Sequence, residues 1–305
     1  MKILVFTEKP FAPNAVKAIE NTVNASGNEL ELVEMGTRED LLASVKDADG
    51  LIVRSDKIDA AVMDAAPRLK VIVRAGAGYD NIDLDAATQH KICVMNTPGQ
   101  NSNAVAELVF GMVVMMCRNQ YNGKSGSELK GKNLGIYAFG QVGRNVARIA
   151  KGFGMNISAL DKFVDDAVME AEGVKPIHEV ERLFSDNDFV SLHIPATAET
   201  RGSIGYDLVM KMPKGGVLVN TARKEVIDEA GLMKALEERP DLRYVSDIKP
   251  DTAEEFEKKF GARVFFTPKK MGAQTAEANF NAGVAAAEQV IAYLKDGWNK
   301  YQVNR

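Results

Sequence analysis

Short apolar runs punctuate this chain, and the stretches between them carry apolar residues at helical spacing. The runs at 3–6, 30–33, 51–54, 71–74 and 92–95 read as strands. Helical patterns start near Asn14, Arg38, Asp59 and Asp83. Such alternation predicts a parallel sheet covered on both faces, with ligands at the carboxyl ends of its strands. A nearly all-apolar helix over 103–118 implies burial. A short polar stretch, 119–132, then leads to a second set of strands. These are 134–139, 157–160 and the segments FVSLHIP, GVLVNTA, YVSDI and VFFTP. The last helix starts near Thr275 and runs to about Lys295, with an alanine-rich face at 282–287. The pattern predicts an α/β chain of two parallel-sheet domains, Rossmann-like or flavodoxin-like. The second is inserted into the first, and a C-terminal helix returns to the first. The boundaries read from the pattern are 1–100, 101–283 and 284–305.

Composition narrows the class. The 305 residues are 46% hydrophobic, enough for real cores in two domains and too many for a disordered chain. A net charge of −4 gives no electrostatic reason to expect nucleic acid. Cys93 and Cys117 are the only cysteines and lie in apolar runs without metal-ligand spacing, so reduced core thiols and no metal site are expected. The opening KILVF is too short for a signal-peptide core and meets Glu8 at once. The longest apolar run, 104–117, is interrupted by Glu107 and too short for a bilayer. A soluble cytoplasmic protein with no membrane partner is expected.

The chemistry concentrates in residues 133–161, NLGIYAFGQVGRNVARIAKGFGMNISALD. The order is strand, tight turn, helix, strand, with Asp161 about 18 residues past Gly143. That is the dinucleotide-binding βαβ unit. The turn Ala138-Phe139-Gly140-Gln141-Val142-Gly143 brings backbone N–H groups and a helix N-terminus toward a pyrophosphate. Gly140 allows close approach, and Gly143 lets the helix pack near the strand. Asp161 can accept from both ribose hydroxyls and repels a 2′-phosphate, so the expected cofactor is NAD. The first glycine of the G-x-G-x-x-G pattern is Ala138 here. Earlier in the chain, Ala75-Gly76-Ala77-Gly78 can offer N–H groups to an anion, with Arg54 and Arg74 nearby.

Taken together, LIVRSDKI, RAGAGYDNIDL, VMNTPGQNSNAVAELVFGM, VLVNTARKEVID and TPKKMGAQT resemble the D-2-hydroxyacid dehydrogenase family in order and spacing over nearly the whole chain. The resemblance implies NAD-linked hydride transfer at the hydroxyl carbon of a small acid. It implies that Arg223 grips the substrate carboxylate and carbonyl oxygen, while the backbone of Ala75, Gly76, Ala77 and Gly78 holds the other carboxylate oxygen. Arg54, Lys57 and Arg74 are the bases best placed for a substrate phosphate, and Ser55 is a further substrate-binding candidate. Asn101 stands where the family's chain crosses between domains. His193 and Pro195 match the strand end flanking the cofactor, Thr221, Ala222 and Gly272 match further cofactor positions, and Asp247 resembles the acid near the nicotinamide.

The chain departs from the family pattern in three places. Lysines stand in TPKKMGA where the family has histidine, and Lys270 or, in the other register, Lys269 takes that place. The family's glutamate partner has no counterpart in register; Asp251 and Glu254 are the acids nearby. A lysine, with an ordinary pKa of about 10.4, needs no glutamate to keep it protonated. Burial beside Arg223 is then expected to lower its pKa so that it can act as base. The segment before the nucleotide unit is also shorter than in longer relatives, where it helps form the dimer; a homodimer is still expected. The chain ends at Arg305 without a small C-terminal effector domain, so no serine feedback through one is expected. The expected reaction is oxidation of 3-phosphoglycerate. The alternatives are reduction of another 2-oxo acid, such as glyoxylate or hydroxypyruvate, and NAD(H) sensing without catalysis.

Overall fold

The computed structural model describes residues 1–304 and divides into two compact units. Unit 1 comprises Met1–Asn101 and the chain from Gln274 on; unit 2 is Ser102–Ala273.

Unit 1 runs β1 Lys2–Thr7, α1 Pro13–Ala25, β2 Glu29–Glu34, α2 Arg38–Ser44, β3 Gly50–Val53, α3 Ala60–Asp64, β4 Val71–Arg74, α4 Leu84–Gln89 and β5 Cys93–Asn96. The sheet order β2-β1-β3-β4-β5 is flavodoxin-like, and the direction of growth reverses between β1 and β3. Leu4, Leu51 and Ile72 enter one core, whereas Ile3, Val5, Ile52 and Val73 enter the other. Successive strand residues point to opposite faces, so a sheet buried on both sides needs apolar runs without alternation. Helix starts are set by side-chain caps: Thr37 and Asp40 form a capping box, while Asp59 and Asp83 accept from Val62 N and Ala86 N.

Unit 2 opens with α5 Ser102–Cys117, then β6 Asn133–Tyr137, α6 Gln141–Gly152, β7 Asn156–Leu160, α7 Asp166–Ala171, β8 Lys175–Pro176, α8 Val180–Ser185 and β9 Phe189–Leu192. It continues with α9 Tyr206–Val209, β10 Val217–Asn220, α10 Glu229–Glu238, β11 Arg243–Ser246, α11 Ala253–Phe260 and β12 Val264–Phe266. The order β12-β11-β10-β9-β6-β7-β8 is the Rossmann arrangement, with its reversal between β6 and β9. All strand pairs in both sheets are parallel.

The long helix α12, Ala276–Asp296, belongs wholly to unit 1. Ala282, Ala286, Ala287 and Val290 pack with Ala15 and Ile19 of α1. A Cβ on Gly283 would stand 3.0 Å from Ile19, so small residues set this close helix contact. The return at 284 read from the sequence is therefore corrected to Gln274, because 284 falls inside a continuous helix. The strand read as 134–139 stops at Tyr137, because Ala138 turns the backbone to φ 80°. Among the described residues no helix is long and apolar enough to cross a membrane, and no group of three or more His, Cys, Asp or Glu could hold a metal.

Candidate active site

The turn after β6 lies where the strand order of unit 2 reverses, the position at which open α/β sheets take ligands. Ala138 N–H donates to Leu160 O at 2.8 Å, tying the turn to β7. Phe139 N–H donates to Asp161 Oδ2 at 2.7 Å, and Phe163 N–H donates to Oδ1 at 2.8 Å. Asp161 thus braces both the turn and its own loop, and each oxygen keeps a lone pair for a hydroxyl donor. A Cβ on Gly143 would sit 2.3 Å from the Ala138 carbonyl oxygen, so the close approach of α6 to the turn requires glycine. Gly140 and Gln141 are exposed and Val142 is half-buried. No side chain caps α6, which leaves its first-turn N–H groups available to an anion. These features fit a dinucleotide pyrophosphate.

Strand ends to one side of the turn carry other candidates. His193 N–H donates to Tyr137 O at 2.9 Å. Its ring nitrogens meet Ser191 Oγ at 2.9 Å and Thr221 Oγ1 at 3.3 Å. Burial pushes the imidazole down to about 3, far too weak a base for an alcohol proton. Pro195 is exposed in the following loop. After β10, the buried Asn220 side chain brackets the next turn, donating to Arg223 O and accepting from Ala222 N–H, both at 2.9 Å. Arg223 is half-buried, and its Nη1 donates to Ala222 O at 2.9 Å. Asp251 forms an ion pair with Lys224 at 2.6 Å, and Glu254 lies exposed in the first turn of α11.

Asp247, fully buried after β11, holds the loop that bears the two lysines. It accepts from Met271 N–H, Gly272 N–H and the Thr267 hydroxyl. Lys269 and Lys270 are both exposed. The burial expected to lower a lysine pKa is thus not provided by the chain itself.

In unit 1, Arg54 stands at the reversal between β1 and β3. Its Nη1 donates to Lys9 O at 3.0 Å and Pro10 O at 2.8 Å, its Nη2 donates to Asn279, and the guanidinium lies 5.1 Å from the Phe11 ring centroid. Desolvation lowers its pKa. Arg54 braces the loop after β1 against α12. Arg74 Nε donates to Arg54 O at 3.0 Å, and its guanidinium fills the space beside Gly76, where a Cβ would lie 1.5 Å from Nη1. Gly76 takes φ 150°, which glycine tolerates. Ala75 N–H donates to Val53 O and Gly76 N–H to Arg74 O, both at 2.8 Å. Of the run 75–78, expected to offer several N–H groups to an anion, the sheet end engages those of Ala75 and Gly76. Ser55 and Lys57 are exposed, and Asn101 is half-buried at the end of the first stretch of unit 1.

Asn220, Thr267 and Asn279, which hold candidate residues, were not singled out from the sequence, nor was Glu199, the partner of Lys162. Thr267, Asn279 and Glu199 act on distant segments, so their local spacing does not mark them, whereas Asn220 acts within its own turn.

Comparison with known proteins gives three informative likenesses. D-3-phosphoglycerate dehydrogenase of Methanocaldococcus jannaschii is 37% identical over 97% of this chain, which spans 58% of that relative's length. Hydroxypyruvate reductase of Thermotoga maritima is 34% identical over 84% of this chain and 88% of its own. The structure described as NAD+-bound 3-phosphoglycerate dehydrogenase in Entamoeba histolytica is 49% identical, with a TM-score of 0.91 over 100% of this chain and 99% of that one. Residues 3–304 match the family described as D-isomer specific 2-hydroxyacid dehydrogenase, catalytic domain, and the chain belongs to that family.

Proposed function

We propose that the chain binds NAD at the turn after β6 and oxidises 3-phospho-D-glycerate to 3-phosphohydroxypyruvate, the first step of phosphorylated serine biosynthesis. The observation that carries this reading is the uncapped, glycine-lined turn braced by Asp161 at the reversal of the Rossmann sheet. The end-to-end match to the Entamoeba histolytica protein supports the choice of substrate. Bound NAD supplies a hydride acceptor. The chain's own residues do the rest. The Arg223 guanidinium pairs with the substrate carboxylate in a bidentate fork. Ala77 and Gly78 N–H groups hold carboxylate oxygen, and Lys57 is the exposed cation left for the phosphate. Lys270, or Lys269, takes the hydroxyl proton. Both lysines are exposed, so the desolvation that this role needs comes from the bound reactants covering the lysine.

Purified protein mixed with NAD and 3-phosphoglycerate tests the reading by the absorbance of reduced cofactor. Lys270→Ala and Lys269→Ala are then compared with NAD binding checked. Near-native turnover in both rules out a lysine base. NAD binding without turnover of any 2-hydroxy acid points to a sensor instead. Reduction of hydroxypyruvate is the second reading, favoured by the match along most of the Thermotoga maritima reductase. The proposal includes a homodimer in the cytoplasm. The buried free thiols Cys93 and Cys117 accord with a reducing compartment, and sedimentation tests the dimer.

A further inference from the structure

Lys162 directly follows Asp161 at the end of β7, and its Nζ forms an ion pair with Glu199. Glu199 belongs to the loop after β9. In the order β9-β6-β7 the pair therefore spans the end of β6, beside the turn that begins at Ala138. Tyr137, the last residue of β6, registers both charges: burial raises its hydroxyl, and Lys162 and Glu199 act on it with opposite signs. The Glu199 loop is held by its own hydrogen bonds. Thr200 Oγ1 donates to Pro195 O, Thr197 N–H donates to Thr200 Oγ1 at 2.8 Å, and Arg201 N–H donates to Thr197 O at 3.0 Å.

A cation one residue past the ribose-binding acid is the group a 2′-phosphate would use. Alone, Lys162 would offset the repulsion from Asp161 and admit NADP. Paired, it is neutralised. The two side chains are 61% and 73% exposed, and an ion pair that open adds little to fold stability. We propose that Glu199 is a specificity-determining residue that withholds Lys162 from a 2′-phosphate and sets a second negative charge near Asp161, so that NAD is preferred over NADP. This rests on the proposed NAD site.

The test is titration calorimetry with NAD and with NADP on the wild-type chain, Glu199→Gln, and Glu199→Gln combined with Lys162→Ala. Glu199→Gln is expected to lower the ratio of the NADP to the NAD dissociation constant roughly two- to fivefold, the order expected for one solvent-screened charge a few ångströms away. Removing Lys162 as well is expected to return most of that gain. A ratio that Glu199→Gln leaves unchanged overturns the inference while leaving the NAD site standing. A gain that survives in full without Lys162 overturns it too. A wild-type chain that binds neither dinucleotide overturns the proposed function, and this inference with it.

Discussion

The carboxylate of Asp247 accepts a hydrogen bond from the backbone N–H of Gly272 at 2.8 Å. Its other oxygen takes Met271 N–H at 2.6 Å and the Thr267 hydroxyl at 3.0 Å. One buried acid thereby fixes the backbone on which Lys269 and Lys270 stand. In Asp247→Asn an amide NH2 would face at least one of these donors, so at least one bond is lost and becomes a donor-against-donor contact. The expected cost is about 1.5–3 kcal/mol for a charge-assisted bond to a buried group. Thermal unfolding should show a lowered midpoint, and turnover should fall more than NAD affinity. A native midpoint with native turnover would mean that the clamp is idle.

Arg54 is a second case where the contacts decide the outcome. Its guanidinium already serves Lys9 O, Pro10 O and Asn279. Arg54→Ala should therefore destabilise unit 1 by about 1–3 kcal/mol, through the acceptors left without a donor. It should impair phosphorylated and unphosphorylated substrates alike. Lys57→Ala, at an exposed cation, should instead impair the phosphorylated substrate selectively. Steady-state kinetics on both substrates separates the two roles, and a selective loss in Arg54→Ala would return the phosphate contact to Arg54.

Ala138 holds φ 80° where the dinucleotide pattern has glycine. An L-residue in that region costs about 1–2 kcal/mol. Relief of this strain should outweigh the greater freedom glycine has in the unfolded chain. Ala138→Gly is expected to raise stability by about 0.5–1 kcal/mol in chemical denaturation. A lower denaturation midpoint in the variant would refute the strain.

His193 should leave a pH signature. Its folded pKa of about 3 lies below the ordinary 6.5 because burial disfavours the charged ring. The unfolded chain therefore takes up a proton in a window where the folded chain does not. Stability contributed by the neutral ring is fully present above 6.5 and is lost as pH falls from there toward 3. Replacing it by glutamine in His193→Gln should flatten the fall between 6.5 and about 4, above the carboxylate range. The difference between the two chains cancels what the groups common to both contribute. Parallel stability curves for wild type and variant across that window would contradict the assignment.

What the sequence determined by itself was local. Ile3 to Phe6 is apolar throughout because neighbouring residues enter opposite cores, and that requirement is legible in any single strand of a doubly covered sheet. The turn from Ala138 to Gly143 with Asp161 beyond it was legible for the same reason: its chemistry depends on spacing within one βαβ unit. Tertiary structure alone decided which donors and acceptors were already engaged. Arg54 reaches Asn279 across 225 residues, Lys162 reaches Glu199 across 37, and Asp247 reaches Gly272 across 25. The run Ala75 to Gly78 reads as a source of several N–H groups, and only the fold shows that the sheet end engages those of Ala75 and Gly76. A sequence states which polar groups exist. Their partners are set by how distant elements pack, and a buried polar group must take whichever partner that packing places within reach.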